Sequence, residues 1–135
     1  MRVVLDTNIL ISALISSAGN PAMIYSAWED GKFTLLTCAE HLDELRATLQ
    51  KPRSPILEPY NAGRLVNQIR RLAEDVGPRP RVKRSPDPHD DFLVAMSEAG
   101  EAGYLVTGDK TGLISLHHHK ATRIISASEF GALLT

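Results

Sequence analysis

The sequence predicts an α/β fold, with a mostly parallel β-sheet carrying helices on both faces. Three observations lead there. Short β-branched and apolar runs alternate with helix-patterned segments through the whole chain. The first run, "RVVLD", is apolar at successive positions, as in a strand covered on both faces. No repeat, low-complexity tract or interdomain linker interrupts the alternation, so the 135 residues are expected to form one domain, residues 1–135.

Taken in order, "RVVLD" is the first predicted strand. A helix follows, capped by Thr7 or Asn8, with Ile9 to Ile15 as its apolar body. "GNPAMIYSAWEDGK" predicts a second helix. Asn20 is its cap, Pro21 its first helical residue and Gly31 its stop. "KFTLLT" is the next strand. Thr37 and Glu40 then read as a capping box opening a helix with Leu42, Leu45 and Leu49 on one stripe. "KPRSPILEPYN" is a proline-broken loop. Between Gly63 and Val76, residues Leu65, Val66, Ile69, Leu72, Ala73 and Val76 are spaced as one helical face. "GPRPRVKRSPDP" is a second loop, with room for a short strand near Val82. "DDFLVAMSEAGEAG" is a helix, "YLVTG" a strand, and "TRIISASEF" a strand followed by a helix with a Ser126/Glu129 capping box.

Composition narrows the function classes. The formal net charge is −1, which argues against a globally basic nucleic-acid binder and leaves local basic clusters, Arg70–Arg71 and the run Arg79 to Arg84. The single cysteine, Cys38, forms no internal disulfide and fits a reducing compartment. No signal-peptide pattern is present, and no apolar stretch approaches the roughly 20 residues of a membrane helix. The expectation is a soluble cytoplasmic protein with no membrane partner.

In parallel α/β folds ligands bind beyond the carboxyl ends of the strands, so acids there carry the most weight. Asp6 ends the first strand, and an acid is a poor strand former. Asp109 follows "YLVTG". Asp87, with Pro88 behind it, reads as a helix cap, and Asp90 suits the first helical turn. Asp91 shares a helical face with Val94, Ala95 and Ala99 and so is expected to look inward. Glu44 lies at the flank of the leucine stripe and is expected to look into a cleft, whereas Asp43 reads as a solvated acid. Clustered carboxylates repel unless a cation neutralises them, and oxygen-only ligands suit Mg²⁺ or Mn²⁺.

Four segments, "VVLDTNILISALIS", "LDELRATLQKP", "SPDPHDDFLVAMSEAG" and "YLVTGDK", in this order, resemble the PIN domain nucleases. The likeness runs from Val3 to Phe130 and is nearest to the small stand-alone bacterial VapC-like toxins. It implies a three-layer α/β/α sandwich and a metal-dependent ribonuclease, the toxin component of a toxin–antitoxin pair. It implies Asp6, Glu44, Asp91 and Asp109 as the acids that hold Mg²⁺ or Mn²⁺. Asn8 and Thr107 fall on supporting positions, and Asp90 competes with Asp91 for the third acid. Thr111 stands where many relatives carry a further acid. The partners implied are an RNA substrate, an antitoxin protein and a second copy of the chain. Lys110, Arg84 and His89 are the expected nucleic-acid contacts.

The competing reading keeps the same fold as a catalytically inactive RNA- or protein-binding module. A haloacid-dehalogenase-type phosphatase is disfavoured, because its second aspartate would fall on Asn8. "HHHK" (His117 to Lys120), His41 and His89 read as surface residues, since consecutive histidines point in different directions. Cys38 reads as a small buried hydrophobe. Tyr25 and Trp28 read as core or as a contact for a partner.

Overall fold

A computed structural model describes residues 1–51, 59–108 and 112–135. Strand β1 (Arg2–Leu5) leads into α1 (Thr7–Ile15) and α2 (Asn20–Glu29). Then come β2 (Thr34–Thr37), α3 (Ala39–Gln50), α4 (Pro59–Leu72) and the two-residue β3 (Glu74–Asp75). A 3₁₀ turn (Pro88–Asp90) precedes α5 (Asp91–Ala99) and β4 (Tyr104–Val106). A second 3₁₀ turn (Leu113–Leu116) precedes β5 (His118–His119), β6 (Thr122–Ile125) and α6 (Ala127–Leu134). Among the described residues the strands form one sheet in the order β3-β2-β1-β4-β6-β5. All neighbours are parallel except β5, which runs antiparallel to β6. The predicted mostly parallel sheet is present.

Side-chain alternation along the strands separates the two faces. Val3, Leu5, Leu35, Val106 and Ile125 pack with α1, α2, α3, α4 and α6 around Trp28, Leu45, Leu65 and Phe130. Val4, Leu36, Leu105 and Ile124 pack on the other side with Leu93, Val94 and Met96 of α5 and with Leu113. The result is the expected three-layer α/β/α sandwich. No single helix among the described residues is long and apolar enough to cross a membrane.

Several boundaries differ from the sequence reading, each for a local reason. Helix α1 is capped by Asp6, whose carboxylate accepts from the Asn8 N–H, rather than by Thr7 or Asn8. Helix α2 begins at Asn20 itself, with Gly19 (φ 98°) as its cap. It ends in a Schellman arrangement: Lys32 N–H bonds the Ala27 carbonyl (3.0 Å) and Gly31 N–H the Trp28 carbonyl (2.9 Å). Gly31 has φ 76°, where a side chain is disfavoured.

The Thr37–Glu40 capping box does not form. Thr37 still belongs to β2, its carbonyl accepts from Val76 N–H (3.0 Å), and Cys38 takes the cap position. Glu40 pairs instead with Arg79 (3.2 Å). The stripe expected to run to Val76 ends at Leu72, which is exposed, and β3 follows as an edge strand. Val76 packs on the opposite face of the sheet. No strand forms at Val82. The Ser126/Glu129 capping box is present as predicted.

Candidate active site

Strands β1 and β4 are parallel neighbours with Leu5 opposite Val106, so Asp6 and Thr107 leave the sheet side by side. Asp6 is only 8% exposed. Its Oδ2 accepts a hydrogen bond from the Thr107 hydroxyl (2.8 Å), and its Oδ1 accepts the Asn8 N–H (3.4 Å). Burying a carboxylate is costly unless donors meet it, and these two do. The next residue, Thr7, is also buried and donates its hydroxyl to Glu44 Oε2 (2.7 Å). Asp6 and Glu44 are thus tied into one corner by adjacent residues of β1–α1 and by α3.

Helix α3 is held in place by His41. The ring is 4% exposed and its Nε2 lies 2.7 Å from the Leu5 carbonyl. A carbonyl only accepts, so Nε2 carries the proton. The ring edge meets Phe92 of α5 at 5.9 Å and 86°. His41 therefore touches the residue before Asp6 and the residue after Asp91, and it lies three positions before Glu44 on its own helix. The expected surface position for His41 is wrong. Leu45, four residues on and fully buried, shares its face and is the signal in the sequence that marks it as inward.

Glu44 and Asp91 line one open cleft of about 750 Å³, together with Asp43, Glu40, Phe92 and His89. Arg79 and Arg81 form part of its wall. Asp43, read as a plain surface acid, also lines it and pairs with Arg46 (3.5 Å). Asp91 is half-buried at the start of α5, and its Oδ1 accepts the main-chain N–H groups of Arg84 (3.1 Å) and Ser85 (2.8 Å). Asp90 occupies the cap position of the same helix, and Asp87 caps the preceding 3₁₀ turn through the His89 N–H (3.0 Å). Asn8 is exposed and enters the corner through its backbone. Asp109 and Lys110 lie outside the described residues, as does Thr111.

Two groups singled out in the sequence sit elsewhere. Arg84 directs its guanidinium to β5, where Nη1 meets the His118 carbonyl (3.1 Å) and His119 Nδ1 (2.8 Å). The "HHHK" run is exposed at His117, His118 and Lys120 but not at His119. His118–His119 form β5, and His119 is 6% exposed with Nε2 at 2.7 Å from Glu98 Oε1. Antiparallel pairing with β6 turns alternate residues inward, and that pairing was invisible in three identical side chains. Cys38 is buried, which pushes its thiol pKa up and fits the hydrophobe reading. Trp28 lies in the core. Tyr25 stacks edge-on against it and donates to Gln68, and burial raises its hydroxyl to about 12.

The PIN domain family matches residues 2–111, from β1 through β4 and the residues just beyond it. The chain belongs to the PIN domain family. No curated protein matches it. PIN domains are generally nucleases, and they typically use Mg²⁺ or Mn²⁺. Whether the residues fit such an ion can be judged from their donors. Asp6, Glu44 and Asp91 offer hard carboxylate oxygens at the carboxyl end of a parallel sheet, the donor type these ions take. Among the described residues, however, no three His, Cys, Asp or Glu side chains are close enough to share an ion. The donor chemistry fits a hard cation, and the described acids alone do not close its ligand set.

Proposed function

We propose that this PIN domain is a metal-dependent endoribonuclease that hydrolyses RNA phosphodiester bonds, and the toxin component of a toxin–antitoxin pair. One observation carries the reading. Asp6, an acid at a strand end, is buried beside Thr107 and next to Thr7, which holds Glu44 at the rim of a cleft shared with Asp91. The cap on α1 uses one oxygen of Asp6, and the Thr107 hydroxyl fixes the direction of the other.

Asp6, Glu44, Asp91 and Asp109 would hold Mg²⁺ or Mn²⁺. The bound ion would supply Lewis acidity and a water of lowered pKa. The chain's own groups do the rest. Arg81 on the cleft wall would attract the phosphate backbone, while Arg79 beside it is tied to Glu40 (3.2 Å) and the Gly77 carbonyl (2.9 Å). Thr107 and Thr7 fix the orientations of Asp6 and Glu44. His89, which also lines the cleft, would touch a phosphate. No side-chain nucleophile is needed, and the one cysteine is buried.

A fluorogenic RNA incubated with Mg²⁺ or Mn²⁺ tests the proposal. Wild type should cleave it to 5′-phosphate and 3′-hydroxyl ends, and Asp6→Asn and Asp91→Asn should not. Equal cleavage by all three would refute it. The toxin role predicts growth arrest on expression, relieved by a co-expressed antitoxin. The absence of a three-acid cluster among the described residues favours a second reading, a non-catalytic RNA- or protein-binding module. RNA binding without metal-stimulated turnover would select it.

A further inference from the structure

Arg84 reads in the sequence as one of several basic residues available to a phosphate backbone. The structure gives its guanidinium another occupation. Nη1 donates to the His118 carbonyl (3.1 Å) and to His119 Nδ1 (2.8 Å). An arginine only donates, so His119 Nδ1 is the acceptor, and its Nε2–H donates to Glu98 Oε1 (2.7 Å). Glu98 also pairs with Lys120 Nζ (3.3 Å).

Glu98 and Asp91 are both on α5, seven residues apart, and so share one face of the helix. The contacts therefore close on themselves. They run from Glu98 to His119 on β5, across to the Arg84 guanidinium, along the Arg84–Ser85 main chain, and back to Asp91 Oδ1 through two N–H groups. The segment from Gly77 to Arg84 has no helix or strand of its own. Its grip on Asp91 needs an anchor at the far end, and the Arg84 side chain supplies one.

We infer that Arg84 is a positioning residue: by clamping β5 it holds its own N–H and that of Ser85 on Asp91 Oδ1, and so sets which oxygen Asp91 turns to the cleft. The catalytic half of this inference rests on the nuclease proposal; the clamp itself does not. Arg84→Ala and Arg84→Lys test both halves in the full chain. Both clamp contacts come from one guanidinium nitrogen, Nη1; lysine keeps the charge but its shorter side chain ends before that atom, so both variants lose the clamp.

Amide hydrogen exchange of Ser85 is the first readout. It should quicken about tenfold in both variants, with the core amides of Val4 and Leu105 unchanged. Turnover of RNA should fall about tenfold, as for other residues that orient a site acid. RNA affinity, and its slope against salt, should stay at the wild-type value. Unchanged Ser85 exchange overturns the inference. So does a salt slope reduced by about 0.7, the signature of a lost phosphate contact on a single strand. A wild type that cleaves no RNA defeats the nuclease proposal, and Ser85 exchange then still decides the clamp.

Discussion

Replacing His41 by alanine perturbs a side chain that touches segments bearing three of the site acids. The ring donates to the Leu5 carbonyl at 2.7 Å and is 4% exposed. Losing that bond leaves the Leu5 carbonyl without its His41 donor, at a cost of about 1–3 kcal/mol. Removing a ring packed edge-on against Phe92 leaves a void as well. A total near 3 kcal/mol should lower Tm by about 10 °C for a chain of this size. His41→Gln keeps a terminal N–H donor and should recover about half of the loss. Urea and thermal unfolding followed by circular dichroism measure both variants. An alanine variant that melts with wild type would refute the view that His41 pins α3 to the end of β1.

Three further outcomes follow from the geometry. Gly100→Ala would place a Cβ at 2.7 Å from both Leu36 Cδ1 and Val76 Cγ1 and 3.2 Å from the Met96 carbonyl, so overpacking should cost about 1–3 kcal/mol in urea unfolding. Thr7→Val removes the Glu44 partner at 2.7 Å; it should cost about 1 kcal/mol of stability yet slow RNA cleavage about tenfold. The His119 hydrogen bond, then Lys120, hold the Glu98 carboxyl below its usual range, so its ionised form stabilises the fold above that range and this contribution fades as pH falls through the lowered value. Glu98→Gln should therefore flatten the acid limb of a stability–pH profile, and an unaltered limb would count against the Glu98–His119 pair.

The fold was legible where physics is local. Alternating apolar runs gave the sheet, and Ser126 with Glu129 gave a cap that forms as read. Asp6 stood out because an acid is a poor strand former, although the sequence reading gave the α1 cap to Thr7 or Asn8 and the structure gives it to Asp6. What stayed hidden depends on partners distant in sequence. Glu74 and Asp75 become a strand only because β2 offers an edge, and two exposed acids show no period. Thr37 and Glu40 matched a capping box, but the sheet kept Thr37 and Arg79 took Glu40. His41 and His119 are buried by a carbonyl and a carboxylate contributed from other segments, and neither partner shows in their neighbours. Arg84 looked like a phosphate contact because its charge is visible in the sequence and its β5 acceptors are not.

The central claim of the proposal is that Asp6, Glu44 and Asp91, completed by Asp109, act together on a divalent ion. Titrating Mn²⁺ into the RNA-free protein, with calorimetry or electron paramagnetic resonance as readout, tests it most directly. The account predicts saturable binding by wild type and weakened binding in each of Asp6→Asn, Glu44→Gln and Asp91→Asn, with all three variants folded. Equal Mn²⁺ affinity in wild type and the three variants would contradict it.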